Sequence, residues 1–112
     1  MGWDIVSGKS KKLIDDDYNN VLSHISCQYA YNDYFERAFG KRIDKFKGRL
    51  TIKKKQEFVN GIDNFIDIPN NEIDVPIFQG YISNCGVDKL KQEFMKLKEL
   101  ILEGKIGYMR MS

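Results

Sequence analysis

The chain has little of what usually marks a specialised architecture: two Cys, two Pro, one His and one Trp among 112 residues. Two thiols, Cys27 and Cys85, are too few for the disulfide framework that staples small secreted domains, so reduced thiols in a cytoplasm are expected. No window approaches the roughly 18 consecutive apolar residues of a membrane span. The opening Met1-Gly2-Trp3-Asp4-Ile5-Val6-Ser7 has neither the basic lead nor the apolar run of a signal peptide. The expectation is a soluble, cytoplasmic protein. Internal repeats, low-complexity runs and domain linkers are also missing, which leaves residues 1–112 as a single globular domain.

What is present suits an ordinary core. Hydrophobic residues make up 42% and charged residues 30%, a balance far from that of disordered chains. At this length roughly two thirds of the unfolded surface can be buried, enough for one core without metal or disulfide staples. Aromatics are abundant at 12%, with seven Phe and six Tyr. Large rings fill a small core efficiently, which is the simpler account; a Tyr-rich contact surface is the other.

Three segments read as helices. Tyr18, Val21, Leu22, Ile25, Tyr29, Phe35, Ala38 and Phe39 recur at spacings of three, four and six, which predicts a helix of about six turns over 18–39. Asp15, Asp16 and Asp17 would cap its start, and Gly40 would end it. A second helix is predicted over 53–66, with Phe58, Val59, Ile62, Phe65 and Ile66 on one face, Thr51 as cap and Gly61 as a weak point. A third runs over 87–103 on Val87, Leu90, Phe94, Leu97 and Ile101, closed by Gly104. Short strands are expected at 3–6, around 49–52 and at 106–111, the last pairing with the first. Residues 67–86 hold both prolines and read as an irregular but packed connector with one short helical turn. The fold expected is mainly α, indeed all-α apart from short terminal strands: a compact bundle of about three principal helices.

The chemistry-bearing motifs are weak. Gly8-Lys9-Ser10 matches the end of a phosphate-binding loop, but Trp3 stands where the first glycine must be. Gly2 suggests myristoylation, but Val6 occupies the place of the required Ser or Thr. His24 and Cys27 are one helical turn apart, with Cys85 distant in sequence. That set lacks the clustered spacing of a zinc site, and a nucleophile pair would need a third, orienting group. Three adjacent aspartates at 15–17 diverge around a helix and do not converge on one ion. No cofactor, metal or catalytic residue is predicted.

One feature resists a bland account. Lys41, Arg42, Lys45, Lys47, Arg49, Lys53, Lys54 and Lys55 face a single acid, Asp44, so that stretch carries an excess of seven positive charges. The other 97 residues hold ten basic and fifteen acidic side chains, and the near-neutral total conceals a polarised chain. Lys53, Lys54 and Lys55 also sit where the helix dipole disfavours cations, a cost that an anionic partner would offset. These eight residues, with Phe46 as a stacking face, form the predicted partner-binding site. The expected function is a non-catalytic binder docking on one specific protein, acidic where it is touched, to block or adapt it as immunity proteins, antitoxins and inhibitors do. The alternative is a nucleic-acid-binding regulator using residues 41–55, since cations neutralise phosphates and Phe46 would stack on bases. A second alternative is a structural or assembly subunit associating through the apolar face of the last helix.

Overall fold

The computed structural model describes residues 2–75 and 86–112. Strand β1 (Gly2–Gly8) leads into helix α1 (Lys11–Asp16), and strand β2 (Val21–Gln28) returns antiparallel to β1. Helix α2 (Asn32–Phe39), the two-residue strand β3 (Gly48–Arg49), helices α3 (Ile52–Asp67) and α4 (Val87–Leu102), and strand β4 (Tyr108–Met111) follow. The sheet has the order β2-β1-β4-β3 and every neighbouring pair is antiparallel.

The described residues form an α+β fold with four α-helices and a four-stranded sheet, which overturns the mainly α, three-helix bundle and the all-α class. The error lies in the predicted helix over 18–39. Its first half is a 3-10 turn at Tyr18–Asn20 followed by β2, and only Asn32–Phe39 is α-helical. Val21 and Ile25 are β-branched and favour extended backbone over helix. Pairing with β1 sends Ile25 and Cys27 inward and leaves His24 on the other face. Nor do the three aspartates cap a long helix. Ser10 caps α1 by accepting from Leu13 N, while Asp17 caps the 3-10 turn through Asn19 N.

The other elements follow their local signals. Thr51 Oγ1 accepts from Lys54 N at 3.2 Å and starts α3. Gly40 ends α2 at φ 77°, a left-handed conformation that glycine adopts without a side-chain clash. The terminal strands pair as expected, with Ile5 opposite Met111 and Val6 opposite Arg110. The expected strand around 49–52 is shorter and earlier, because Leu50 bonds to Gly107 O and α3 begins at Ile52. Asn70–Glu72 forms a 3-10 turn in the connector, whose later part, with Pro76, Phe78 and Cys85, lies outside the described residues.

One face of the sheet carries α2, α3 and α4. Between them Phe35, Phe39, Phe46, Phe58, Phe65 and Phe94 form a contiguous aromatic core, with centroid spacings such as 5.0 Å for Phe39–Phe58 and 5.2 Å for Phe35–Phe65. Every described Phe is buried and fills the core, whereas among the described tyrosines only Tyr31 is buried and Tyr18 and Tyr29 are exposed. Val6 and Ile14 are buried on the opposite face, where α1 crosses the sheet and Asp15 pairs with Arg110. Among the described residues no helix is long and apolar enough to cross a membrane.

Candidate functional site

The basic stretch folds into three consecutive pieces: a 3-10 turn at Ile43–Phe46, β3, and the first turn of α3. Its alternation of buried and exposed residues explains why it is ordered. Ile43, Phe46 and Leu50 are buried, and the cations between them are turned outward. Phe46 is 0% exposed and packs against Phe39 and Phe58, so it offers no stacking face. The chain's own Lys41 Nζ sits over its ring, 4.7 Å from the centroid.

The cations divide into two sets. Lys41 and Lys53 share one carboxylate, Glu57, at 2.9 and 4.0 Å, and Arg42 pairs with Asp44 at 3.3 Å. The hydrogen bond from Lys41 holds the Glu57 carboxyl below its ordinary range, reinforced by the charges of Lys41 and Lys53. Lys45, Lys47, Arg49, Lys54 and Lys55 meet no carboxylate within ion-pair distance among the described residues. Lys54 Nζ donates to Lys47 O at 3.3 Å, which ties the start of α3 to the segment before β3. Arg49 stands apart. Its register partner Tyr108 precedes the buried Met109, which places Arg49 on the sheet face that α1 crosses, away from α3 and α4.

Beside the first two turns of α3 lies a groove of about 290 Å³ lined by Ile52, Lys55, Gln56, Val59, Asn60, Ile101 and Leu102. Ile52 is 87% exposed and Leu102 67%. Two large aliphatic side chains standing in water side by side, flanked by unneutralised lysines, form the kind of apolar patch with a charged rim that marks a contact surface. Sequence reading missed both. Position 52 falls in the strand expected around 49–52, and Leu102 lies one residue past the Leu97–Ile101 stripe of the last helix. The signal was present in the helical phase. At 3.6 residues per turn Ile52 stands about 120° around α3 from Phe58, and Leu102 about 100° past Ile101.

Among the described residues, the remaining chemistry-bearing side chains do not assemble into a reactive set. His24 lies on the outer face of β2, with Nε2 3.0 Å from Asp4 Oδ1 and Nδ1 3.0 Å from Tyr18 Oη. Cys27 is three residues on and faces the core, where burial pushes its thiol up to about 12. A strand sends residues three apart to opposite faces, so this His and Cys cannot act together. Ser26 Oγ donates to the same Asp4 oxygen at 2.6 Å. These bonds, first Ser26 and then His24, hold the Asp4 carboxyl below its ordinary range. A nucleophilic serine needs a base on its own hydroxyl, with the acid on the far side of the base. Here Ser26 Oγ lies 3.5 Å from His24 Nε2, and both side chains make their shorter bonds to one carboxylate oxygen, that of Asp4. Among the described residues no group of three His, Cys, Asp or Glu could hold a metal ion.

Comparison of the chain with protein-family models, curated proteins and solved structures finds no match.

Proposed function

We propose that the protein is a non-catalytic binder that docks on one acidic protein partner, blocking or adapting it, through the corner where β3 meets α3. The observation that supports this reading is the pairing of exposed Ile52 and Leu102 with Lys55 in one groove, next to Lys47 and Lys54, which carry no neutralising acid. Burying an exposed Ile or Leu side chain contributes about 1.5–3 kcal/mol. A partner covering both therefore gains affinity from the groove, while the lysine rim steers an acidic surface toward it and sets orientation. Nucleic acid uses the cations but has little use for two aliphatic side chains, and the buried Phe46 removes the stacking contact that would recommend it.

The test is affinity capture with the full chain from lysate of its source, with nuclease treatment, comparing the parent with two variants. In one, Lys53, Lys54 and Lys55 become Glu; in the other, Ile52 and Leu102 become Asp. The expected result is a single stoichiometric protein that survives nuclease and is lost with either variant. Recovery that depends on nucleic acid, lost with the charge reversal and indifferent to the Asp variant, would replace the proposal with the regulatory reading. Acidic residues in the first turn of α3 complement its dipole, so the charge-reversed variant should fold.

A further inference from the structure

The groove at Ile52 and Leu102 has walls that restrict what can enter it. α3 and α4 run antiparallel, since Asp63 pairs with Lys98 while Lys91, earlier in α4, donates to Ile66 O, later in α3. These two polar ties close the seam between the helices toward the end of α3. Beyond the Asp63–Lys98 pair the seam opens, with Ile52 and Val59 of α3 beside Ile101 and Leu102 of α4. Ile52 and Val59 are seven residues apart, so the apolar opening runs for about 10 Å, two turns of α3.

Both walls are helical, and their backbone groups are already bonded. Lys55 N bonds to Thr51 O at 2.9 Å, and at the end of α4 the carbonyls of Glu99, Leu100 and Ile101 accept from Glu103, Lys105 and Gly104 N–H. An extended segment that recognises its site by adding a strand therefore meets no free ladder here. A proline-rich segment docks on aromatic rings, whereas the apolar lining of this groove is aliphatic: Ile52, Val59, Ile101 and Leu102. Side-chain recognition is left, the mode in which an amphipathic helix lays anchors at i, i+3 or i+4 and i+7 into an apolar trough. The span from i to i+7 equals the separation of Ile52 and Val59.

Charge selects the flank. Lys55 lines the α3 wall, half-buried, next to Lys54, and neither meets a carboxylate within ion-pair distance among the described residues. On α4, Glu99 stands one turn before Leu102, and Glu103, bonded to Lys105 at 2.8 Å, directly follows it. Carboxylates on an incoming segment are matched on the α3 side of the groove and repelled on the α4 side. A second copy docking through the same groove would set one lysine rim against another, which disfavours self-association here.

Resting on the docking surface proposed above, we infer that the partner enters this groove as an amphipathic helix of two turns or more. Its aliphatic anchors stand at i, i+3 or i+4 and i+7, and Asp or Glu line the flank that lies against α3.

Heteronuclear NMR of the isotope-labelled full chain, titrated with synthetic peptides to about 1 mM, is the test. The probe is an Ala-based, helix-forming peptide of about 15 residues, with Leu at i, i+4 and i+7 and Glu along one flank. One control carries Lys in place of every Glu, and another carries Pro in its central turn, which breaks the helix. The expected result is saturable shifts confined to residues 52–60 and 98–105 with the Glu peptide, and affinity about tenfold or more weaker for both controls. Changing Lys53, Lys54 and Lys55 together to Glu should reverse the preference in favour of the Lys peptide, a swap that damage to the fold would not produce. Equal binding of the Pro control, shifts elsewhere on the surface, or no shifts at all would overturn the inference. The docking reading is judged separately, by affinity capture: a partner retained there and lost with the Ile52 and Leu102 variant upholds that reading even where the helical peptide fails.

Discussion

Gly61 sits in the middle of α3, where alanine would ordinarily stabilise a helix by about 1 kcal/mol. The structure predicts the opposite for Gly61→Ala. A Cβ at this position would lie 1.9 Å from Phe39 Cδ1, 2.4 Å from Cε1 and 2.5 Å from Cγ. The overlap includes the root of the ring, and the ring has nowhere to go. Phe39 is held by Phe58 at 5.0 Å, Phe46 at 5.7 Å, Phe94 at 6.1 Å and Phe35 at 6.2 Å between centroids. Asn64 Nδ2 also donates to Ala38 O at 3.0 Å, which limits how far α2 can move off α3. Forcing extra atoms into a packed core costs typically about 1–3 kcal/mol, and an overlap this deep belongs at the upper end. After the helix-propensity gain is subtracted, the net loss should be about 2 kcal/mol. Urea unfolding followed by circular dichroism measures it directly, as a lower midpoint at unchanged slope. In a Phe39→Leu background the same substitution should cost about 1 kcal/mol less, because the ring it collides with is gone. A Gly61→Ala variant as stable as the parent, or more so, would refute the account of α2–α3 packing.

Two further outcomes follow from buried polar groups. Ser7 is 0% exposed on the inner face of β1, and its hydroxyl has no hydrogen-bond partner among the described residues, so Ser7→Ala should raise stability by about 1 kcal/mol in the same unfolding assay; a loss would mean the hydroxyl is satisfied. The Cys27 thiol is pushed from 9.0 to about 12, chiefly by burial. The folded state then holds its proton where the unfolded state has released it, so this contribution to stability is complete below pH 9 and is lost as pH rises from 9 toward 12. In a Cys85→Ser variant, a thiol reagent at pH 8 should label Cys27 only as fast as the protein opens, and labelling at the rate of a free thiol would contradict the buried assignment.

Local sequence was sufficient wherever a strong cap coincided with a single period. Thr51, the Phe58–Ile62–Phe65 spacing and Gly104 carry enough information to bound α3 and the end of α4 within about a residue. The terminal strands and their pairing were likewise legible. The segment 21–28 was not, because apolar residues three and four apart satisfy a helix while Ile25 and Cys27, two apart, satisfy a strand. Only β1 lying alongside decides between them. The same holds for the candidate site. Lysine density was plain in the sequence, but which cations are neutralised depends on Glu57 and Asp44 arriving beside Lys41, Lys53 and Arg42.

Composition and periodicity by themselves determined an ordinary core, two of the four helices nearly whole, and a concentration of positive charge in residues 41–55, because these properties reside in neighbours along the chain. The tertiary structure decided that Phe46 is core and not surface, that Ile52 and Leu102 share a groove, and that β2 and the two-residue β3 stand at opposite edges of one sheet. Those outcomes depend on residues tens of positions apart meeting in space, and no local pattern in the chain encodes which of them will meet.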